Sequence, residues 1–413
     1  MAESITPISI RGRYLWKGED RFIINGVVYR PHKYTDRGSP LSQDPLTDER
    51  LEELERSIPL LKELGINTLF VSYVDADKNH DAAMEMLAEA GIYVLSCVLS
   101  HSEMKHMRNV RMESSEVAQG MLHLFRRVDC LAAYRNTLGL FVAEEVINSA
   151  PDTAAAPVVR ALTRVVKRYM ALAARITGRR VLPVGYKAAD IREFTRLQYE
   201  YFAAGDEAEA IDFYAFNCYD WTGKSSMSMS GYKLLSRTFR DAHIPVFFSE
   251  YGSNAGVGAR LFEETRSILS RDMTDTFSGG IVYEFFEGPN RYGLVRANEE
   301  DGSLGRLRDF KNLRASVQAC KHVRHVTAPP TAAEGEKNVA MPRKPEMPAL
   351  SDSWRAKPEI PECPLDWDEV RNQIEDAEWV DVARDILDLQ IEELAAGSVW
   401  GRFRLDSTGP RTE

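Results

Sequence analysis

The sequence predicts an α/β fold, a (β/α)8 TIM barrel with a proline-rich linker and a C-terminal acidic helix. Three observations predict it. Eight short runs rich in β-branched and aromatic residues recur between residues 22 and 287, several apolar on both faces, as strands covered from two sides must be. Segments with apolar residues at helical spacing alternate with them. No G-x-G-x-x-G follows the first run, which weakens the rival doubly wound open sheet.

The first strand is "FIINGVVY" (22–29). A helix follows in "DERLEELERSIPLLKELG", whose apolar stripe stops at Gly65. "NTLFVSYV" (67–74) is the second strand, "DAAMEMLAEAG" the next helix and "IYVLSCVL" (92–99) the third strand. The fourth strand, "LGLFVAEE" (138–145), leads into a long helix that ends on Gly178. "RVLPVGYK" (180–187), "IDFYAFNCY" (211–219), "IPVFFSEYG" (244–252) and "GGIVYEFFE" (279–287) complete the eight strands. The segments "ARLFEETRSILSRDM" and "LGRLRDFKNLRASVQA" read as helices, and the barrel is expected to close near residue 320.

Beyond that point the composition shifts. Residues 1–322 are assigned to the barrel, 323–365 to a proline-rich linker and 366–413 to an acidic amphipathic helix and tail. Val370, Ile374, Val380, Ile386 and Leu387 form the apolar side of that helix. It is expected either to dock on the barrel or on a second copy, or to bind a protein partner.

The net charge of −10, with no large basic stripe, argues against nucleic acid. Cys97, Cys130, Cys218, Cys320 and Cys363 are scattered, with no C-x-x-C pair and hence no zinc or disulfide framework. No bilayer-spanning stretch, secretory signal, lipid-anchor tail or N-x-[ST] sequon is visible, which gives a cytoplasmic expectation. The alternative, a lipid-anchored protein at the cell surface, requires a truncated sequence.

In a barrel of this kind, chemistry sits where strands end. The fourth strand ends on Glu144 and Glu145, the seventh on Glu250. Two carboxylates facing one mouth are the apparatus of glycoside hydrolysis, roughly 5 Å apart in the retaining form. Tyr219, Trp221, Tyr251, Tyr283 and Tyr292 lie at the same ends, and aromatic faces suit the C–H faces of sugars. His101 and His106 are five apart and do not share a helix face, so neither a metal nor a cofactor is expected.

Six motifs then carry a family resemblance: "IPLLKELGINTLFV", "DKNHDAAMEMLAEAGIYVL", "LPVGYK", "DFYAFNCYDWTG", "IPVFFSEYGSN" and "SGGIVYEFFEGPNRYGLV". In this order they resemble the fungal β-1,3-glucanosyltransferases of glycoside hydrolase family 72, over roughly residues 10 to 320. The resemblance implies a retaining barrel that cleaves β-1,3-glucan and passes the glycosyl-enzyme to another glucan chain. It implies Glu250 as nucleophile, Glu145 as acid/base, and Tyr29, Glu144, Tyr219, Tyr283 and Tyr292 as substrate contacts. Departures are Glu144 for an Asn, Arg30 for a Gln, Phe70 for an Arg, Ser72 for a Tyr, Cys97 for an Asp, and Ala83, Thr222 and Ser253 for cysteines. A third acid at Glu144 and the lost arginine are both expected to raise carboxyl pKa values in the site. Two readings follow: an active β-1,3-glucan transglycosylase, or a catalytically impaired member that binds glucan or a protein.

Overall fold

The computed structural model describes residues 5–30, 43–99, 103, 115–256, 258–298, 300–320, 342–363 and 365–376. Eight parallel strands close into a barrel: β4 (Ile24–Val28), β5 (Thr68–Val71), β6 (Tyr93–Cys97), β7 (Thr137–Glu144), β8 (Val184–Ala188), β9 (Phe213–Asn217), β10 (Val246–Tyr251) and β11 (Gly279–Val282). Each falls within or against one of the eight apolar runs. Ahead of them an antiparallel meander of β1 (Ile8–Arg11), β2 (Tyr14–Lys17) and β3 (Asp20–Phe22) adds Ile8, Leu15 and Phe22 to the apolar cluster inside the barrel. A small hairpin, β12 (Val295–Ala297) with β13 (Leu304–Arg306), precedes the last barrel helix, Arg308–Ala319.

Strand alternation divides the apolar residues into two bodies. Ile24, Val28, Phe70, Leu95, Phe141, Phe213, Phe247 and Ile281 fill the interior. Val27, Tyr29, Leu69, Val94, Val184, Tyr214 and Phe248 face the surrounding helices. Small residues make room inside: a Cβ on Gly185 would meet the Phe213 ring at 2.2 Å. The long helix Ala156–Thr177 ends on left-handed Gly178, and the helix Leu51–Leu64 on left-handed Gly65, as the sequence predicts.

Residues 342–363 run in extended form along the outside of the barrel. The Trp354 side chain is completely buried against Tyr201, with ring centres 5.5 Å apart. The Arg355 amide donates to Thr153 Oγ1 (2.8 Å), and Arg164 donates to the Pro361 carbonyl (2.8 Å). The acidic helix is described over Trp367–Asp376; its Val370 and Ile374 are buried, and Arg168 stacks 4.0 Å over the Trp367 ring. Val380, Ile386 and Leu387 lie outside the described residues.

Candidate active site in the barrel mouth

The acids sit where the regular alternation fails. The β7 register shifts between Phe141 and Ala143, and Glu145 takes a left-handed backbone (φ 50°). A regular strand would send Glu144 and Glu145 to opposite sides. Here both turn toward one ammonium, Lys187 Nζ of β8, at 3.6 Å from Glu144 and 3.2 Å from Glu145. A second register shift, between Phe248 and Glu250 of β10, accompanies the placement of Glu250 Oε1 at 2.9 Å from the same nitrogen. The two Lys187 distances limit the Glu145 and Glu250 oxygens to no more than about 6 Å apart, short of the roughly 6.5–9.5 Å that inverting pairs need.

Glu145 and Glu250 have further partners. Asn217 Nδ2 donates to Glu145 Oε1 at 2.6 Å, and its Oδ1 accepts from Ser249 Oγ at 2.9 Å. The Tyr219 hydroxyl donates to Glu250 Oε2 at 2.7 Å. Tyr219, Tyr283 and Tyr292 form an aromatic wall, with Tyr283 and Tyr292 rings 5.1 Å apart and edge-on. Arg30 donates to the Tyr283 hydroxyl at 2.8 Å and stands 3.6 Å from Glu284.

The electrostatics follow from Lys187, whose side chain is 1% exposed. Burial opposes its charge, but Glu250, Glu145 and Glu144 hold its pKa well above the ordinary lysine value. In return the Lys187 charge pulls the Glu145 pKa below the ordinary carboxyl value, against the opposing effect of burial. The expected upward shift is therefore reversed at Glu145. Its premise, a site that gained an acid and lost a cation, is incomplete, because Lys187 of β8 supplies a cation between the acids. The Lys187 ammonium stands 5.6 Å from the centre of the Phe70 ring, which occupies the position the resemblance gives to arginine.

The structure brings Glu144, Glu145, Glu250, Tyr219, Tyr283 and Tyr292 together. It does not bring Tyr29. Val28 points into the barrel, so Tyr29 points out, where its hydroxyl bonds Ser57 Oγ at 3.0 Å in the helix-facing core. Tyr251 and Trp221 are likewise buried outside the barrel, against Thr265 and Tyr232. His101 and His106 lie outside the described residues. Sequence reasoning missed Lys187 and Asn217. A lysine ending an apolar parallel strand was the available signal for the first.

Among the described residues, Asp190, Cys218 and Asp220 lie close enough together to hold an ion. The Arg192 guanidinium already pairs with Asp220, and Asp190 accepts the Tyr219 amide at 2.8 Å. The cluster thus supports the aromatic wall.

A (β/α)8 barrel with acids at the ends of its fourth and seventh strands is the framework of glycoside-processing enzymes. A family model for glucanosyltransferases matches residues 1–321. The chain belongs to the fungal β-1,3-glucanosyltransferases of glycoside hydrolase family 72. It is 39% identical over 318 residues to the 1,3-beta-glucanosyltransferase gel1 of Aspergillus fumigatus, covering 76% of this chain and 66% of that one. It is 38% identical to 1,3-beta-glucanosyltransferase GAS5 of Saccharomyces cerevisiae, covering 76% of this chain and 62% of the relative. The chain thus spans just under two thirds of these relatives' length. Among solved structures, a mutant of Saccharomyces cerevisiae Gas2p in complex with laminaritetraose and laminaripentaose matches with a TM-score of 0.73 and 31% identity, covering 88% of this chain and 76% of that one.

These relatives correct one expectation. The cytoplasmic location does not stand, because the matched family members are secreted, lipid-anchored cell-wall proteins. Among the described residues no helix is long and apolar enough to cross a membrane.

Proposed function

We propose that this chain binds β-1,3-glucan in the barrel mouth and acts on it as a retaining glucanosyltransferase of impaired catalytic power. The observation that carries the reading is Lys187, placed between the two carboxylates that retaining chemistry needs. In such chemistry Glu250 attacks the anomeric carbon. Glu145 first protonates the leaving oxygen and then deprotonates the incoming acceptor. A general acid must hold its proton at working pH, so two-carboxylate sites push one pKa up. Lys187 pushes Glu145 the other way. The same ammonium draws electron density from Glu250 and weakens it as a nucleophile.

Binding is supported independently of rate. Tyr219, Tyr283 and Tyr292 offer ring faces and hydroxyls to a sugar, and a similar protein has been solved with laminari-oligosaccharides. Glu144 stands where the family has a substrate-contacting Asn and is engaged by Lys187 instead. A second reading, unimpaired transfer, is favoured by the 44% exposure of the Glu145 side chain, which leaves it accessible to a substrate.

We assign residues 1–322 to the catalytic barrel, 323–365 to a proline-rich linker, of which the described residues 342–363 lie against the barrel's outside, and 366–413 to an acidic amphipathic helix and tail. The burial of Val370 and Ile374 supports packing on the barrel over a protein partner for that helix.

The test is incubation with a reduced laminari-oligosaccharide, products resolved by mass, with calorimetric binding in parallel. The expected result is binding, with slow formation of products both longer and shorter than the donor that Glu250→Gln abolishes. Fast transfer at neutral pH selects the second reading. Absence of binding by folded protein overturns both.

A further inference from the structure

Among the helices outside the barrel, a second constellation lies apart from the acids of the mouth. His80, just ahead of the helix Asp81–Glu89, is buried with its ring held at both nitrogens. Nε2 lies 2.7 Å from Asp44 Oδ2, and Nδ1 lies 3.5 Å from Cys130 Sγ. Asp44 also accepts the Leu46 amide (2.8 Å) and the Asp75 amide (2.7 Å), so its oxygens face donors and the imidazole must present N–H to it. Cys130 lies on the helix Ser115–Ala132 and, unlike the buried Cys97, Cys218 and Cys320, is half-buried. It lines a cavity of about 230 Å³ between barrel helices and the C-terminal helix, shared with Phe125, Asp129, Tyr169, Val370 and Ile374.

We propose that Asp44, His80 and Cys130 form an activated-thiol site that undergoes exchange with small disulfides. A thiol beside an imidazolium, itself held by a carboxylate, is the arrangement that generates a thiolate at neutral pH. Burial disfavours the charge on His80, but the hydrogen bonds to Asp44 and Cys130 more than offset it and lift its pKa to about 10. The neighbouring titratable groups are Asp129, paired with Arg179, and Tyr134, whose hydroxyl donates to Asp81 at 2.8 Å. In the step, the Cys130 thiolate attacks one sulfur of the disulfide. A new S–S bond forms to Cys130, the old one breaks, and the departing thiolate takes a proton from solvent. The cavity receives the transferred group.

The test uses the full chain, with a free cysteine peptide added as reference, because burial pushes the Cys363 thiol up and disqualifies it as an ordinary thiol. Limiting iodoacetamide and, separately, oxidised glutathione are added across a pH series, and cysteine peptides are quantified by mass after trypsin. Cys130 falls in the fragment "VDCLAAYR". The expected result is labelling of Cys130 at least tenfold faster than the reference peptide at about pH 6, with one glutathionyl group appearing on that fragment. An ordinary thiol, with pKa about 8.5, loses reactivity about tenfold per pH unit below that value. Cys130 is expected to hold its rate where the reference falls away, and His80→Gln is expected to remove that difference in pH profile. If that variant fails to fold, the pH profile of the unaltered chain decides. A Cys130 rate that falls with pH in parallel with the reference, or alkylation without glutathionyl transfer, overturns the proposal.

Discussion

Removing Lys187 together with Glu144 should raise the activity of this site. The perturbation is the double substitution Lys187→Ala with Glu144→Asn, which deletes one positive and one negative charge and leaves Glu145 and Glu250 in place. Lys187 lies 3.2 Å from Glu145. At about 3 Å and an effective dielectric of about 20, two unit charges attract by roughly 5 kcal/mol. The Glu145 side chain is 44% exposed, so solvent screening cuts its share to roughly 1–2 kcal/mol. An interaction of that size changes the protonated fraction of an acid about tenfold. Transfer from a reduced laminari-oligosaccharide at about pH 6 should therefore rise about tenfold, measured as initial rates of elongated products. A folded, glucan-binding double variant with unchanged or lower rate refutes the reasoning. The same pair sets a stability window. Glu145 is depressed in the folded state, so its stabilisation is present above the ordinary carboxyl value of about 4.3 and is lost as pH falls through the depressed value. The melting temperature of the unaltered protein should drop in that acid window, and that of the double variant should drop less.

Tyr219→Phe removes the 2.7 Å bond to Glu250; a hydrogen bond to a charged group contributes about 1.5–3 kcal/mol, so transfer should fall about 10- to 100-fold with the melting temperature little changed. Tyr29→Phe removes only the bond to Ser57; stability should fall by about 1 kcal/mol in denaturant titration, while laminari-oligosaccharide affinity stays constant. Trp354→Ala empties a fully buried position beside Tyr201, and a loss of about 3–5 kcal/mol should appear as a lower denaturation midpoint.

The barrel was legible because parallel strands covered on both faces must be apolar throughout, and the eight runs are. Glu144, Glu145 and Glu250 were legible because acids stand out at the ends of such runs. What the sequence hid depends on parity. Tyr29 and Arg30 are neighbours, yet one joins the outer core and the other the mouth, and only the register tells which. Glu144 and Glu145 look like opposites in a strand and become partners through a register shift and one left-handed residue. Lys187 was visible as a letter, but its meaning needs three carboxylates from two other strands. The packing of residues 342–363 was hidden for another reason: a proline-rich stretch looks the same whether it floats or is anchored by one tryptophan.

That anchorage bears on how the protein can be cut. The family match stops at residue 321, which invites excision of the barrel there. Such a fragment would lose Trp354 from its place on Tyr201, the amide that caps Thr153 Oγ1, and the cover that Val370 and Ile374 provide. It would carry a greasy scar along one flank. Recombinant work is therefore better served by ending the chain no earlier than residue 376, and a shortened barrel that precipitates would be reporting its missing belt rather than a faulty fold.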